Sequence, residues 1–350
     1  MVKSMGKIMV TGGLGFIGSN ITNDYLNKTD YEVVVFDNYS RTGVEQNAEW
    51  LKSNPNSKRL TIIKGDIAHD FELLKKSMKD CEIVFHIAGQ VAVTIAVENP
   101  RLDFNTNALG SFNVLEAARQ LNTDPIIPHT STNKVYGPPQ ESTPVKELED
   151  RYILTDIKGI AEDFPLDPKG LYGPSKQAGD AYFLDYNFVY GMKTITFRMS
   201  CIFGPRQMAT SDQGWIAWLI LCNVLGMELT YYGNGKQVRD ILFITDLIEG
   251  FKTAIKKINI SAGTPFNIGG GPNNAISLLN CTKMIEGFSS KKTKYKLDEW
   301  RPGDQYIYVT NIDKLKQKLG WEPKVTAEEG IRKEYDWIVE NKELFYYLKK

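Results

Sequence analysis

The chain has 350 residues, 42% of them apolar and 24% charged, with 42 Lys plus Arg against 42 Asp plus Glu. That length suits about two domains, and the composition is that of a globular protein with enough apolar surface for a large core. The balanced charge argues against a nucleic-acid scaffold or a membrane-surface binder, while leaving room for a local basic pocket that takes a small anion. Cys81, Cys201, Cys222 and Cys281 are scattered, and His69, His86 and His129 show no metal-ligand spacing. Neither a disulfide framework nor a metal site is therefore expected, and a reducing compartment fits. The N-terminus runs into a strand-like segment without a signal-peptide pattern, and the longest apolar run, 215–222, is too short for a bilayer. The expectation is a cytoplasmic protein without membrane or nucleic-acid partners.

In chain order, strands are predicted at 7–11, 32–36, 60–64, 82–87, 126–129 and 194–199, with 266–268 as a further candidate. Helical patterns lie between them, at 107–121 and 175–189 among others. The strands are continuous apolar runs, as in a parallel sheet covered on both faces. After Arg198 the segments shorten and Gly, Pro and aromatic residues cluster. The predicted organisation is an α/β doubly wound Rossmann domain over 1–198, with returns near 240–258 and 264–270. A smaller interleaved lobe covers most of 199–350, and 327–344 forms an amphipathic closing helix. The basic run 291–296 reads as a solvated loop.

The first motif follows the first strand. Gly12, Gly15 and Gly18 are spaced as G-x-x-G-x-x-G and open a helix with Phe16 and Ile17 in its first turn. Such spacing gives a tight turn, close backbone approach to a pyrophosphate, and a helix N-terminus aimed at the anion. Asp37 ends the second strand, 37 − 18 = 19 residues past the last glycine, where an acid binds the adenosine ribose hydroxyls and repels a 2′-phosphate. NAD is favoured over NADP on that ground, although the nearby Arg41 is a residue type that accepts a 2′-phosphate. Asp66, after the third strand, is suited either to an adenine amino group or to a plain turn.

The second motif is Tyr172-Gly-Pro-Ser-Lys176, a Tyr-x-x-x-Lys spacing that puts both side chains on one helix face. An ammonium beside a phenol favours the phenolate and makes tyrosine usable as a base. Among 17 tyrosines this spacing also arises by chance, so its weight comes from the glycine fingerprint upstream. Thr132 follows the fifth strand, where a hydroxyl either faces the ligand crevice or caps a turn.

Fingerprint, strand-end acid, strand-five hydroxyl and Tyr-x-x-x-Lys together resemble the extended short-chain dehydrogenase/reductase superfamily over nearly the whole chain. The resemblance implies a catalytic triad. Tyr172 is its base, Lys176 holds the nicotinamide ribose and tunes Tyr172, and Thr132 polarises the substrate hydroxyl. It further implies Asn38, Ile67, Ala88, Gln90 and Asn107 as cofactor neighbours, together with Gly12, Gly15, Phe16, Ile17, Gly18, Asp37 and Asp66. The 4,6-dehydratases of this superfamily carry Asp-Glu after the hydroxyl residue, and the related decarboxylases keep the glutamate. Here the pair is Asn133-Lys134, which disfavours water elimination. The stretches 131–137, 206–215, 233–240 and 300–305 are similar to those of CDP-paratose 2-epimerases, as is the 172 − 132 = 40-residue spacing between Thr132 and Tyr172. That similarity implies an NAD-dependent epimerase acting on a nucleotide-diphosphate sugar, with a CDP-linked deoxyhexose favoured. The alternatives are a UDP-hexose 4-epimerase and a non-catalytic dinucleotide-binding sensor. Arg239 and Arg301 are the expected diphosphate ligands, because a guanidinium matches phosphate oxygens bidentately. Arg206, Gln207 and Asn133 are expected at the same substrate, and a homo-oligomer is the family expectation.

Overall fold

The computed structural model describes residues 6–121, 123–301 and 304–349. Residues 1–5, and Pro302 and Gly303 of the 300–305 stretch, lie outside them. The chain falls into two compact units. One comprises Met1–Ser131, Ser175–Phe197 and Phe251–Pro265; the other comprises Thr132–Pro174, Arg198–Gly250 and Phe266–Lys350. The sequence expectation placed 132–174 with the first domain. In the structure Val135, Tyr136 and Ile160 pack with Tyr308, and Tyr152 packs with Val238, Ile307 and Val309. These apolar partners draw the segment into the second unit.

The strands in chain order are β1 (Lys7–Thr11), β2 (Glu32–Asp37), β3 (Leu60–Lys64), β4 (Ile83–His86), β5 (Ile127–Thr132), β6 (Val145–Glu147), β7 (Tyr152–Leu154) and β8 (Thr194–Met199). They continue as β9 (Cys201–Phe203), β10 (Leu229–Tyr232), β11 (Val238–Phe243), β12 (Thr264–Ile268), β13 (Ala275–Ser277), β14 (Tyr295–Asp298) and β15 (Ile307–Tyr308). Seven form the central sheet, in the order β12-β8-β5-β4-β1-β2-β3. Around β1 the pairing is parallel, with Val10 opposite both Val35 and Phe85. Alternate side chains of β2 enter two cores. Val34 and Phe36 join Leu74, Val114, Leu115 and Phe183 on one face, and Val35 joins Leu14, Ala48 and Leu51 on the other. Burial on both faces accounts for the unbroken apolar runs in the sequence. Because β1 lies between β2 and β4, the connections leaving β1 and β4 depart in opposite directions. They open a crevice at the C-terminal strand ends, the place where such sheets bind ligands.

Several elements differ in extent from the sequence reading. β5 runs on to Thr132, past the expected end at His129. The helix expected from Ser175 begins at Tyr172 and continues to Tyr190. A π-helical turn, Asn105–Leu109, precedes the helix Gly110–Gln120. The 266–268 candidate is part of β12, at one edge of the central sheet. Within the basic run 291–296, Tyr295 and Lys296 belong to the exposed strand β14, which pairs with β10. The run is thus solvated but only partly a loop. Among the described residues no helix is long and apolar enough to cross a membrane.

In the second unit β11 is the organising strand. It pairs with β13 (Val238 opposite Ser277), β15 (Val238 opposite Ile307) and β9 (Ile241 opposite Cys201). The closing helix covers Ala327–Glu340 and gives way at Asn341 to a 3₁₀ segment. Its buried stripe is Gly330, Ile331, Glu334 and Ile338, so a carboxyl occupies an otherwise apolar face. Burial raises the Glu334 carboxyl to about 8, opposed only weakly by the Gly204 backbone N–H. The folded chain therefore keeps this proton up to about pH 8, whereas the unfolded chain releases it near the ordinary 4.5. Stability from this group is greatest in acid and falls as pH rises between those values. Glu334→Gln, which holds the neutral shape at every pH, should match the wild type near pH 5 and exceed it by ~2–4 kcal/mol at pH 8 in urea titrations. An equal stability gap at the two pH values would contradict this assignment.

Candidate functional site

In the first unit the glycine turn closes between β1 and the helix Phe16–Lys28. Gly12 has φ +66°, and a Cβ there would lie 2.7 Å from the Ala88 Cα. At Gly18 a Cβ would overlap the Gly12 carbonyl oxygen and sit 2.7 Å from the Gly13 Cα. Both positions exclude a side chain, and Ala88 is thereby fixed against the turn. Gly15 caps the helix without a side chain, its carbonyl accepting from Ser19 N–H at 2.9 Å. Phe16 and Ile17, in the first turn, stay partly exposed.

Asp37 stands at the end of β2 and is 7% exposed. Its two carboxylate oxygens accept from Leu14 N–H (3.0 Å) and Tyr39 N–H (2.9 Å), so the glycine turn and the acid hold each other in place. Burial pushes this carboxyl up, against the lowering effect of those two N–H groups. Asn38 Nδ2 donates to Asp66 Oδ2 at 2.8 Å, which pairs the ends of β2 and β3. Ile67 is buried and packs beside Gly110. An open glycine turn, a helix N-terminus and a strand-end acid form a cradle that fits a dinucleotide: pyrophosphate at Gly12–Gly18, ribose hydroxyls at Asp37.

Lys176 is 4% exposed, and its ammonium donates to the Thr130 carbonyl of β5 at 2.6 Å. Burial lowers it to about 8, against the raising effect of Asp180 and Asp103. Tyr172 precedes it by four residues on the same helix, so the two share a face. The π-helical turn brings Asn107 into this neighbourhood. Its amide donates to the Gln90 carbonyl (3.0 Å), Asp103 Oδ1 (3.0 Å) and Ser175 Oγ (3.1 Å), while its Oδ1 accepts from Gln90 N–H at 2.9 Å. Gln90 Nε2 also reaches Asp103 Oδ1, at 2.8 Å. Sequence reasoning named Gln90 and Asn107 but missed Asp103, the buried acid that joins them. An acid in a short helix carries no local signal of that role.

In the second unit Thr132 closes β5. Its hydroxyl donates to Asn133 Oδ1 and accepts from Lys134 N–H, each at 3.3 Å, and so fixes the 3₁₀ turn Asn133–Tyr136. Lys134 lies close enough to Arg239, Asp304 and Arg301 to feel their charge, and near the Cys201 thiol. Arg239 Nη1 donates to the Val238 carbonyl at 2.8 Å. Arg301 lies over the Tyr232 ring at 4.0 Å, with its Nε 3.9 Å from Asp304 Oδ2. These two arginines therefore share one neighbourhood with the turn that follows Thr132. Arg206 has φ +73° and lies over the Trp337 ring at 5.7 Å, while Gln207 Nε2 donates to the Ile202 carbonyl at 3.4 Å.

The profile of the GDP-mannose 4,6 dehydratase family matches residues 9–334. A CDP-paratose 2-epimerase of Salmonella typhi is 40% identical over 95% of this chain and 98% of its own. Among solved structures, a dTDP-glucose 4,6-dehydratase of Bacillus anthracis in complex with NAD superposes with a TM-score of 0.82 at 27% identity, covering 98% of this chain and 99% of that one. A UDP-glucuronic acid 4-epimerase of Bacillus cereus, in complex with UDP-glucuronic acid and NAD, gives 0.81 at 27% identity over 95% and 99%.

The glycine turn gives a direct test of its own packing. Gly18→Ala forces a methyl group against the Gly12 carbonyl, which is backbone and cannot swing away. A loss of ~1–3 kcal/mol is expected in urea titration of the ligand-free chain. Unchanged stability would mean that the turn opens freely.

Proposed function

We propose a reaction for this chain from one premise: it belongs to the GDP-mannose 4,6-dehydratase family of the extended short-chain dehydrogenase/reductase superfamily. Within that family of nucleotide-sugar epimerases and dehydratases, we read it as an isomerase, an NAD-dependent epimerase that inverts C2 of a CDP-linked deoxyhexose. One observation carries the choice of epimerase. The turn after Thr132 holds Asn133 and Lys134, an amide and an ammonium, where elimination of water needs a carboxyl pair. The 40% identity to a CDP-paratose 2-epimerase over 95% of the chain supports C2 and the CDP group.

NAD bound in the glycine cradle would supply reversible hydride transfer at the sugar carbon. The chain's own residues do the rest. Gly12, Gly15 and Gly18, with Phe16 and Ile17, hold the pyrophosphate, and Asp37 takes the adenosine ribose, its carboxylate disfavouring a 2′-phosphate. Asn38, Asp66, Ile67, Ala88, Gln90 and Asn107 complete that side. Tyr172 accepts the proton of the reacting hydroxyl and gives it back. Lys176 favours the phenolate of Tyr172 through its charge and holds the nicotinamide ribose. Thr132 and Asn133 keep the reacting oxygen in place, Arg239 and Arg301 bind the diphosphate, and Arg206 and Gln207 border the sugar.

Tyr172→Phe should lower turnover ~100- to 10,000-fold while NAD binding persists. Near-normal turnover in this variant would remove Tyr172 from the mechanism. The carbon is decided by isotope. With CDP-paratose carrying deuterium at C2, the label should stay at C2 of the product, and reaction in heavy water should add none. Loss of that label to solvent, or inversion at C4 of a UDP-hexose with C2 untouched, would overturn the 2-epimerase reading.

A further inference from the structure

Lys134 lies in the 3₁₀ turn that follows Thr132. Its backbone is fixed at one end by Thr132 and at the other by Gly137, whose φ of +71° turns the chain and whose N–H donates to the Lys134 carbonyl. Three hydrogen bonds then tie this turn to the segment around 304–306. Gln305 Nε2 donates to the Gly137 carbonyl at 2.6 Å, Gln140 Nε2 to the Asp304 carbonyl at 2.9 Å, and Tyr306 N–H to Gln140 Oε1 at 3.2 Å. That segment leads into β15, where Tyr308 stands opposite Arg239 of β11. The backbone thus holds Lys134, Arg239, Arg301 and Asp304 together, with Cys201 of β9 also facing Lys134.

The charges in this cluster do not balance. Three cations face one carboxylate, and among the described residues the one ion pair within this group, Arg301 Nε to Asp304 Oδ2, is long at 3.9 Å. Arg239 spends a donor on a backbone carbonyl, and the Arg301 Nε makes no hydrogen bond among the described residues. Like charges gathered in a half-buried place repel one another unless an anion enters between them. A diphosphate is such an anion, with oxygens enough for all three groups.

We propose that Lys134 is a third cation for the substrate diphosphate, completing the site of Arg239 and Arg301 and taking up a proton when the anion binds. This rests on reading Arg239 and Arg301 as the diphosphate ligands. The sign follows from the groups that face Lys134. Burial first, then Arg239 and Arg301, lower its ammonium to about 8, while Asp304 and Cys201 act the other way. Around pH 8 part of the population holds Lys134 neutral. An arriving dianion favours the charged form, so binding draws protons from solution.

The test is calorimetric titration of the full chain, with NAD supplied, by CDP and by UDP, each beside its nucleoside, in HEPES and in Tris at pH 8. Dependence of the heat on buffer gives the protons taken up. The wild type should take up a measurable fraction of a proton with a diphosphate and almost none with a nucleoside. Lys134→Met should lose this uptake and weaken diphosphate binding ~10- to 100-fold, with nucleoside binding unchanged. Lys134→Arg, which stays charged at pH 8, should keep most of the affinity while losing the uptake. A purely structural role would not separate those two readouts. Lys134→Met with wild-type affinity and uptake, beside weakened Arg239→Met and Arg301→Met, would overturn the role of Lys134 alone. Unchanged binding in all three variants, or no binding of either diphosphate by the wild type, would overturn the reading of the arginines as well.

Discussion

A lysine ammonium held out of water constrains much of the first unit. Lys176 donates to the Thr130 carbonyl, and its burial disfavours the charge that its proposed role needs. The neighbourhood offsets this in two ways. Asp103 and Asp180 favour the ammonium, and Asp103 is itself held by Gln90 and Asn107. The two buried histidines nearby are kept neutral: burial and Lys176 pull His86 down to about 3 and His129 well below the ordinary imidazole range. His129 stacks on Phe183 at 4.2 Å and on His86 at 5.2 Å, so these rings serve as core. Neutral His86 is satisfied by hydroxyls, with Thr11 Oγ1 at 2.9 Å and Ser111 Oγ at 3.0 Å. Burial, reinforced by the Lys176 charge, thus keeps the imidazoles of β4 and β5 neutral.

The second unit handles charge through a strand whose neighbours face opposite ways. Asp240 of β11 is fully buried, accepting from Ser200 Oγ, Gly271 N–H (3.1 Å) and Thr310 N–H (3.1 Å). Those bonds tie β11 to the segments beside it and satisfy the carboxyl internally. Arg239, one residue earlier, is left partly exposed with a backbone carbonyl as its hydrogen-bond acceptor. An internally satisfied acid beside a base with only a backbone carbonyl for acceptor is how one strand can serve as scaffold and also carry the diphosphate ligand proposed above. Lys134 and Arg301 extend the same logic from loops stitched together by Gln140 and Gln305.

The parts of the site legible in the sequence are those whose chemistry is local. Gly12 and Gly18 must be glycine because atoms within a few residues or on the adjoining strand end leave no room for a Cβ, and the fixed spacing records it. Asp37 reads as a strand-end acid because an apolar run stops there, and Tyr172 with Lys176 because one helical turn separates them. The alternating β and α pattern likewise fixes a parallel sheet by local periodicity alone. The extent of β5 was read short, since its last residues, His129 to Thr132, are polar and carry no apolar signal. They are nevertheless buried, because hydrogen bonds satisfy Thr130 and Ser131 and aromatic stacking covers His129.

Sequence by itself thus determined the dinucleotide cradle, the Tyr-x-x-x-Lys helix and the layered α/β architecture, each written in spacings of twenty residues or fewer. The tertiary structure alone decided the strand order β12-β8-β5-β4-β1-β2-β3 and the transfer of 132–174 to the second unit. It alone decided the company of Lys134, whose partners Arg239 and Arg301 lie more than a hundred residues away along the chain. A charge cluster depends on which side chains are left without counterions after folding, and that balance exists only once distant strands have paired.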